Sequence, residues 1–475
     1  MWLEILLTAI VVIFHTAGFL CAIRAILISR TPQAAIGWVF ALLIVPYVSL
    51  FLFAVFGGSQ FKGYRLANHT DDSALREILR KARAALEPYQ SDLTEKYRDS
   101  ARLAERLIGL PVTSGNEVEL LVDGDETFSA IGRAIDEARE YIVIQFFIVR
   151  DDELGRDVKR RLLAARARGV RVYMLIDQVG SHALPRAYRN ELRHAGVEFE
   201  VFVTNRERGR RFRINFRNHR KLVIADGGVA FVGGLNIGDE YMGRDPKFGP
   251  WRDTFIRVRG PVVTALQLPF IEDWYFITRR IADLAWKEQE PAGNMSASII
   301  PGAPASVWNT CPAAFFEIIR SARKRIWIAS PYFVPDQALR SAIAHAALRG
   351  VEVRLLLPQN PDHILPWLSS FTFYPAMREA GVKIWRYQPG FMHQKVLLAD
   401  DDLAVVGSIN FDYRSFILNF ELSVAVASRA FANRVEKMLE ADFARAVPDD
   451  LHALETRGLL FHLKCRSAAL LSPTQ

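Results

Sequence analysis

Cysteine is scarce in this 475-residue chain: Cys21, Cys311 and Cys465 are widely separated and odd in number. That excludes a disulfide framework and agrees with a reducing compartment. No Cys-x-x-Cys, His-x-x-x-His or carboxylate cluster lies near the histidine motifs described below, so the usual zinc-site spacings are missing. Charge is absent altogether from residues 34–57, and residues 3–23 interrupt their apolar run only with Glu4 and His15. Each stretch is long enough to cross about 30 Å of hydrocarbon at about 1.5 Å per residue. The start, Met1-Trp2-Leu3-Glu4, lacks a basic segment, and no small-x-small cleavage site follows, which argues against a removed signal peptide. A short link with Arg24, Arg30 and Pro32 joins the stretches, so a transmembrane hairpin is expected, with helices at about 3–23 and 34–57.

What the chain has in excess is positive charge: 60 Lys and Arg against 52 Asp and Glu, a formal net charge of +8. That favours anionic partners, either nucleic acid or an acidic membrane surface. Arginines concentrate between Gly196 and His219, at Arg206, Arg208, Arg210, Arg211, Arg213 and Arg217, with Phe212 and Phe216 among them. Such a run reads either as a solvated loop or as an arm that holds anionic headgroups; the adjacent apolar hairpin favours lipid over nucleic acid.

The most informative stretch occurs twice. Asn218-His219-Arg220-Lys221 leads through an apolar run to Asp226, and Met392-His393-Gln394-Lys395 leads through a similar run to Asp400. Both read His-x-Lys-x-x-x-x-Asp, and both continue to a small-residue turn and an asparagine, Gly233-Gly234-Leu235-Asn236 and Gly407-Ser408-Ile409-Asn410. The apolar runs are expected to be buried strands. On a strand, residues i and i+2 share a face, so each histidine projects with its lysine while Arg220 and Gln394 point away. An imidazole, an ammonium and a carboxamide converging twice make a cationic, donor-rich pocket suited to a phosphoryl group. One histidine can attack phosphorus, the lysines and asparagines can stabilise the charge on the non-bridging oxygens, and the other histidine can move the proton. A metal ion fits poorly, because two ammonium groups would repel it. No metal and no cofactor are expected.

Further matches are independent of the motifs. Ala167-Arg168-Gly169-Val170 parallels Leu348-Arg349-Gly350-Val351, and His194-Ala195-Gly196-Val197 parallels Glu379-Ala380-Gly381-Val382. They argue for duplication of an alternating strand–helix unit, hence an α/β fold with a largely parallel sheet in each of two lobes. The expected layout is a transmembrane hairpin at 1–59, a solvated helical connector at 60–112, a first lobe at 113–290, a second lobe at 291–450 and an amphipathic tail at 451–475 that either lies on a membrane or packs on a lobe.

The paired motif resembles the phospholipase D superfamily. With the hairpin included, nearly the whole chain resembles its membrane-anchored bacterial cardiolipin synthases. The resemblance implies one active site shared by two lobes, a phosphohistidine intermediate, phosphatidylglycerol and anionic membrane lipid as partners, no nucleic acid, and a multi-pass protein of the bacterial inner membrane; the count of basic residues flanking the hairpin, with Lys62, Arg65 and Arg76 on its C-terminal side, favours cytoplasmic lobes. It makes His219 the nucleophile and His393 the general acid/base, with Lys221, Lys395, Asp226 and Asp400 as the remaining motif members. Asn236, Ser408 and Asn410 are expected to support the phosphate. The resemblance also implies a carboxylate on the far nitrogen of each histidine, and Asp253 and Glu421 are the candidates. Gly234 departs from the pattern, standing where the second copy has Ser408. The same residues would serve a hydrolase releasing phosphatidic acid, and the basic arm would also suit a nuclease of the superfamily.

Overall fold

The computed structural model describes residues 1–29, 32–57, 64, 72–93, 95–203, 216–304, 310–449 and 457–471. The apolar N-terminus folds into α1 (Trp2–Ile28), α2 (Pro32–Ile44) and α3 (Pro46–Phe56). The second expected helix is thus broken at Val45, because Pro46 has no N–H to continue the ladder and starts α3 instead. The helices pack through Ala22, Ala25, Leu42 and Phe53. At Gly18 a Cβ would stand 2.4 Å from the Leu42 carbonyl oxygen, so glycine permits the close approach. The outward faces are apolar and exposed.

The connector is less solvated than its charge suggests. In α4 (Ser73–Leu86), capped by the Asp72 carboxylate on the Ala74 amide, the buried residues Leu75, Ile78, Ala82, Ala85 and Leu86 recur at helical spacing. That face packs on the first lobe, and α5 (Glu95–Ile108) packs on the second.

The first lobe runs β1 (Thr113–Val122), α6 (Asp123–Glu137), β2 (Tyr141–Phe146), α7 (Glu153–Ala167), β3 (Arg171–Asp177), α8 (Arg186–His194), β4 (Glu198–Phe202), β5 (Leu222–Ala225), β6 (Val229–Gly233), β7 (Thr254–Arg259) and α9 (Val262–Thr278). The second runs β8 (Met295–Gly302), α10 (Thr310–Ser321), β9 (Arg325–Ala329), α11 (Gln337–Leu348), β10 (Glu352–Pro358), α12 (Ile364–Ser370), α13 (Tyr374–Glu379), β11 (Lys383–Tyr387), β12 (Val396–Ala399), β13 (Leu403–Gly407), α14 (Tyr413–Ile417), β14 (Asn419–Ala427), α15 (Arg429–Ala444) and β15 (Ala446–Pro448). The tail forms α16 (Gly458–Leu470).

The strands make one continuous sheet, in the order β15-β11-β10-β9-β12-β13-β14-β8-β1-β7-β6-β5-β2-β3-β4. Read outward from the β8–β1 junction, the two halves repeat the same order, as duplication requires. The strand–helix repeats give the parallel ladders β2-β3-β4 and β9-β10-β11. The motif strands β5 and β12 join these antiparallel to β2 and β9, and turn straight back into β6 and β13. The sheet is therefore mixed, parallel at its outer parts and antiparallel through the motif hairpins and the lobe junction. Every residue of β5 and β12 is buried, as their unbroken apolar sequences require.

Candidate active site

Each motif histidine lies just before its strand, on a segment that pairs with the opposite lobe. Arg217–Asn218 pairs in parallel with Asn419–Phe420, and the His219 amide donates to the Phe420 carbonyl at 2.8 Å. Reciprocally, Phe391–Met392 pairs with Trp251–Arg252, and the His393 amide donates to the Arg252 carbonyl at 2.8 Å. The residue after each acceptor is a carboxylate. The result is a crossed exchange: His219 Nδ1 lies 3.0 Å from both oxygens of Glu421, and His393 Nδ1 lies 2.7 Å from Asp253 Oδ2. Both carboxylates are fully buried. Each holds its imidazole in the tautomer with hydrogen on Nδ1 and leaves Nε2 for chemistry.

Lys221 and Lys395 lie on the histidine side of their strands, as the alternation requires. Each donates to the carbonyl of its own histidine, Lys221 at 2.7 Å. Lys395 Nζ also lies 2.8 Å from His393 Nδ1. That nitrogen's single hydrogen belongs to Asp253, an acceptor-only group, so the lysine acts on the ring through its charge. Phe147 meets His219 edge-on at 5.1 Å, while Trp251 and Phe391 stand 5.2 and 5.8 Å from His393. These aromatics wall the pocket, and the histidines retain only 9% and 7% exposure.

Burial sets the proton affinities. It lowers His219 to about 4, against the pull of Glu421 and with help from Lys221. Burial and then Lys395 hold His393 well below the ordinary imidazole value. Lys395 is lowered by burial to about 8, opposed by Asp253, and burial also holds Lys221 well below the ordinary lysine value, with Glu421 opposing. Asp253 is raised by burial to about 6, with Lys395 opposing. Burial pushes Glu421 the same way, but His219, Lys221 and Ser408 outweigh it and the carboxyl ends below its ordinary value. With both imidazoles lowered, the two histidines are neutral at pH 7, and each presents an unprotonated Nε2.

Two motif members stand elsewhere. Asp226 and Asp400 lie at the far ends of β5 and β12, both with φ of 53°, a left-handed turn that aspartate tolerates better than most residues. Asp226 accepts the amides of Arg139, Glu140 and Tyr141, and Asp400 those of Arg323, Lys324 and Arg325. Asp400 also pairs with Lys96 of α5 at 2.7 Å. They tie the motif hairpin to the start of the neighbouring strand and touch neither histidine. Asn236 is likewise engaged by the fold, its Oδ1 accepting the Ile148 amide at 3.1 Å. Ser408 orients a carboxylate: its hydroxyl donates to Glu421 at 2.5 Å and accepts the Leu422 amide. Asn410 bonds Asp412, and its buried Oδ1 has no partner among the described residues.

The Gly234 departure has a steric reason. A Cβ at Gly234 would lie 2.1 Å from Asp253 Oδ1. The shorter aspartate draws its carboxylate back over the turn, where the longer Glu421 leaves room for Ser408.

Arg220 and Gln394 point away from the pocket into two buried networks that the sequence reading did not anticipate. Arg220 pairs with Asp273 at 2.7 Å and bonds the Glu421 carbonyl at 3.1 Å. The same Asp273 accepts from Gln145, Asn218 and the Tyr64 hydroxyl. Beneath the other histidine, Asp442 takes a two-pronged bond from Arg252 at 2.8 Å and another from Gln394. Of the basic arm, Phe216 is buried and Arg217 is held at the base, where burial lowers its pKa and Asp177 opposes. Arg206, Arg208, Arg210, Arg211, Phe212 and Arg213 lie outside the described residues.

The α/β fold described above is shared with a solved protein. Phosphatidylserine synthase from Haemophilus influenzae superposes with a TM-score of 0.62 over 80% of this chain and all of its own, at 16% identity. At that identity the likeness concerns fold alone. Residues 131–245 and 315–443 match the family described as cardiolipin synthase, PLD-like domain. Cardiolipin synthase A of Pseudomonas entomophila is 42% identical over 97% of both chains, and that of Pseudomonas fluorescens is 42% identical over 98% of this chain and 97% of its own. The chain belongs to the cardiolipin synthase family of phospholipase D-like proteins.

Proposed function

We propose that this chain is a membrane-bound phosphatidyltransferase that joins two phosphatidylglycerol molecules into cardiolipin and releases glycerol. The observation that carries the reading is the crossed pairing of two neutral histidines with buried carboxylates, flanked by two lysines. His219 Nε2 attacks the phosphorus of the first lipid, the bond from phosphorus to the glycerol oxygen breaks, and His393 protonates that oxygen. Glu421 steadies the positive charge that develops on the His219 ring. A hydroxyl of the second lipid then gives its proton to His393, its oxygen bonds phosphorus, and the bond to His219 breaks. His393 takes up the proton it needs from solvent as the substrate binds, because an anionic phosphodiester offsets the two lysines and raises the imidazole pKa. Lys221 and Lys395 stabilise the added charge on phosphorus. Ser408, Asn410, Asp253 and Glu421 support this machinery.

The family likeness supports membrane association. The α1–α3 hairpin supports a multi-pass anchor in the bacterial inner membrane: α1 alone measures about 40 Å at about 1.5 Å per residue, while α2 and α3 must run end to end to cross. Reporter fusions at the C-terminus test the cytoplasmic placement of the lobes. For the reaction, the full chain is placed in phosphatidylglycerol bilayers with EDTA, and lipids and glycerol are followed. Cardiolipin and glycerol should appear in equal amounts and fall by at least about 1,000-fold with His219→Ala or His393→Ala. Phosphatidic acid as the only product would identify a hydrolase instead.

A further inference from the structure

The tail helix α16 is apolar on two opposite faces, and the protein covers one of them. Phe461, Cys465 and Ala468 point toward α12, where the Phe461 ring meets Phe371 at 5.4 Å and Trp367 at 6.4 Å. On the opposite side, Leu459, Leu463 and Leu470 align at helical spacing and are 76, 53 and 82% exposed. A helix at a water boundary carries polar residues on its outer face, whereas the outer face of α16 presents three leucines. The neighbouring helix continues the patch with exposed Ile364 and Leu365. Outside the N-terminal hairpin, the described residues include eleven exposed large hydrophobic side chains, and seven of them belong to α12, α16 and the following Leu471.

We infer that α12 and α16 together form a second membrane-seating surface, through which the second lobe rests on anionic lipid beside the mouth of the active site. Three observations select lipid as the occupant. The chain already carries the apolar hairpin α1–α3, so a bilayer is the apolar medium at hand. The described part of the tail contains no acidic residue, whereas Lys464 and Arg466 flank the leucines, the pattern of an interfacial helix on anionic headgroups. The placement also suits the chemistry: α12 starts two residues after Asp362, which accepts the Tyr332 hydroxyl at 2.7 Å and whose charge is felt by His393 and Lys395. A lipid phosphate could then reach the histidines while its acyl chains stay in the bilayer. This inference rests on the membrane reading given above but not on the identity of the reaction.

The test uses the full chain with Cys21→Ser, since Cys311 and Cys465 are buried. A nitroxide is attached at Leu463→Cys or, for comparison, at Leu348→Cys, another exposed leucine, on α11. In phosphatidylglycerol bilayers, the probe at 463 should relax more with oxygen than with a water-soluble nickel chelate, and the probe at 348 the reverse. Matching aqueous behaviour at both positions overturns the inference. So does shielding of 463 from both reagents with spin–spin broadening, which would mark a second copy of the chain as the occupant. Neither reading needs turnover, so an inactive preparation still decides the question, and a failed cardiolipin assay leaves this result standing.

Discussion

At the scale of single residues, a site with two lysines and two buried carboxylates works only within a window of pH. Asp253, raised to about 6, gains a proton as pH falls through that value and no longer offers His393 Nδ1 a charged acceptor. Lys395, lowered to about 8, loses its charge as pH rises through that value and no longer stabilises phosphorus. The free-enzyme profile, kcat/KM against pH, should therefore be bell-shaped with limbs near 6 and 8. Lys395→Arg should move the alkaline limb upward, because a guanidinium keeps its charge; a limb that stays in place assigns it to another group. Asp226→Ala is a different kind of change. It removes the acceptor of three backbone amides, about 1–3 kcal/mol for groups left unsatisfied, and should lower the melting temperature by several degrees while the folded enzyme keeps its kcat within about twofold. Gly234→Ser should do the opposite. The new side chain displaces Asp253, so kcat should fall by about 100-fold, with circular dichroism unchanged; Ser408→Gly, which only loosens Glu421, should cost less.

At the scale of elements, the two networks behind the histidines decide how firmly the lobes meet. Arg252 and Asp442 are both buried and come from different lobes. Arg252→Met leaves Asp442 charged and unpaired, which costs roughly 3–5 kcal/mol. Since the Arg252 carbonyl also accepts the His393 amide, activity and thermal stability should fall together, and Arg252→Met with Asp442→Leu should recover more stability than activity. The motifs, the strand hairpins and the duplication were all legible in the sequence, because each is written in local spacing. Candidate carboxylates were legible too, at Asp253 and Glu421. What spacing does not encode is which histidine each one serves, because that depends on a lobe-to-lobe pairing through two-residue ladders. The networks were hidden for a similar reason: an isolated Arg220 or Asp442 looks like a surface charge until packing buries it. The aspartates of the motifs lie close in sequence to the chemistry but at the other end of the strand.

At the scale of the whole molecule, one sheet crosses both lobes, and the pseudo-symmetry axis runs through its middle. The active site sits at that junction, so the connector helices, which brace the same sheet, act on the chemistry indirectly. Tyr64 shows how closely. It belongs to the segment leaving the hairpin, bonds Asp273 at 2.6 Å and packs its ring on Phe420 at 4.7 Å, one residue from Glu421. Membrane anchor and histidine site are thus joined by a short chain of direct contacts. The crossed carboxylates also bear on the order in which the protein is made. When the last helix of the first lobe, ending at Thr278, has been made, His219 is present but Glu421 is still about 140 residues from synthesis. Until the last strands fold, His219 therefore lacks the carboxylate that fixes its tautomer, and the crossed site is complete only when both lobes are.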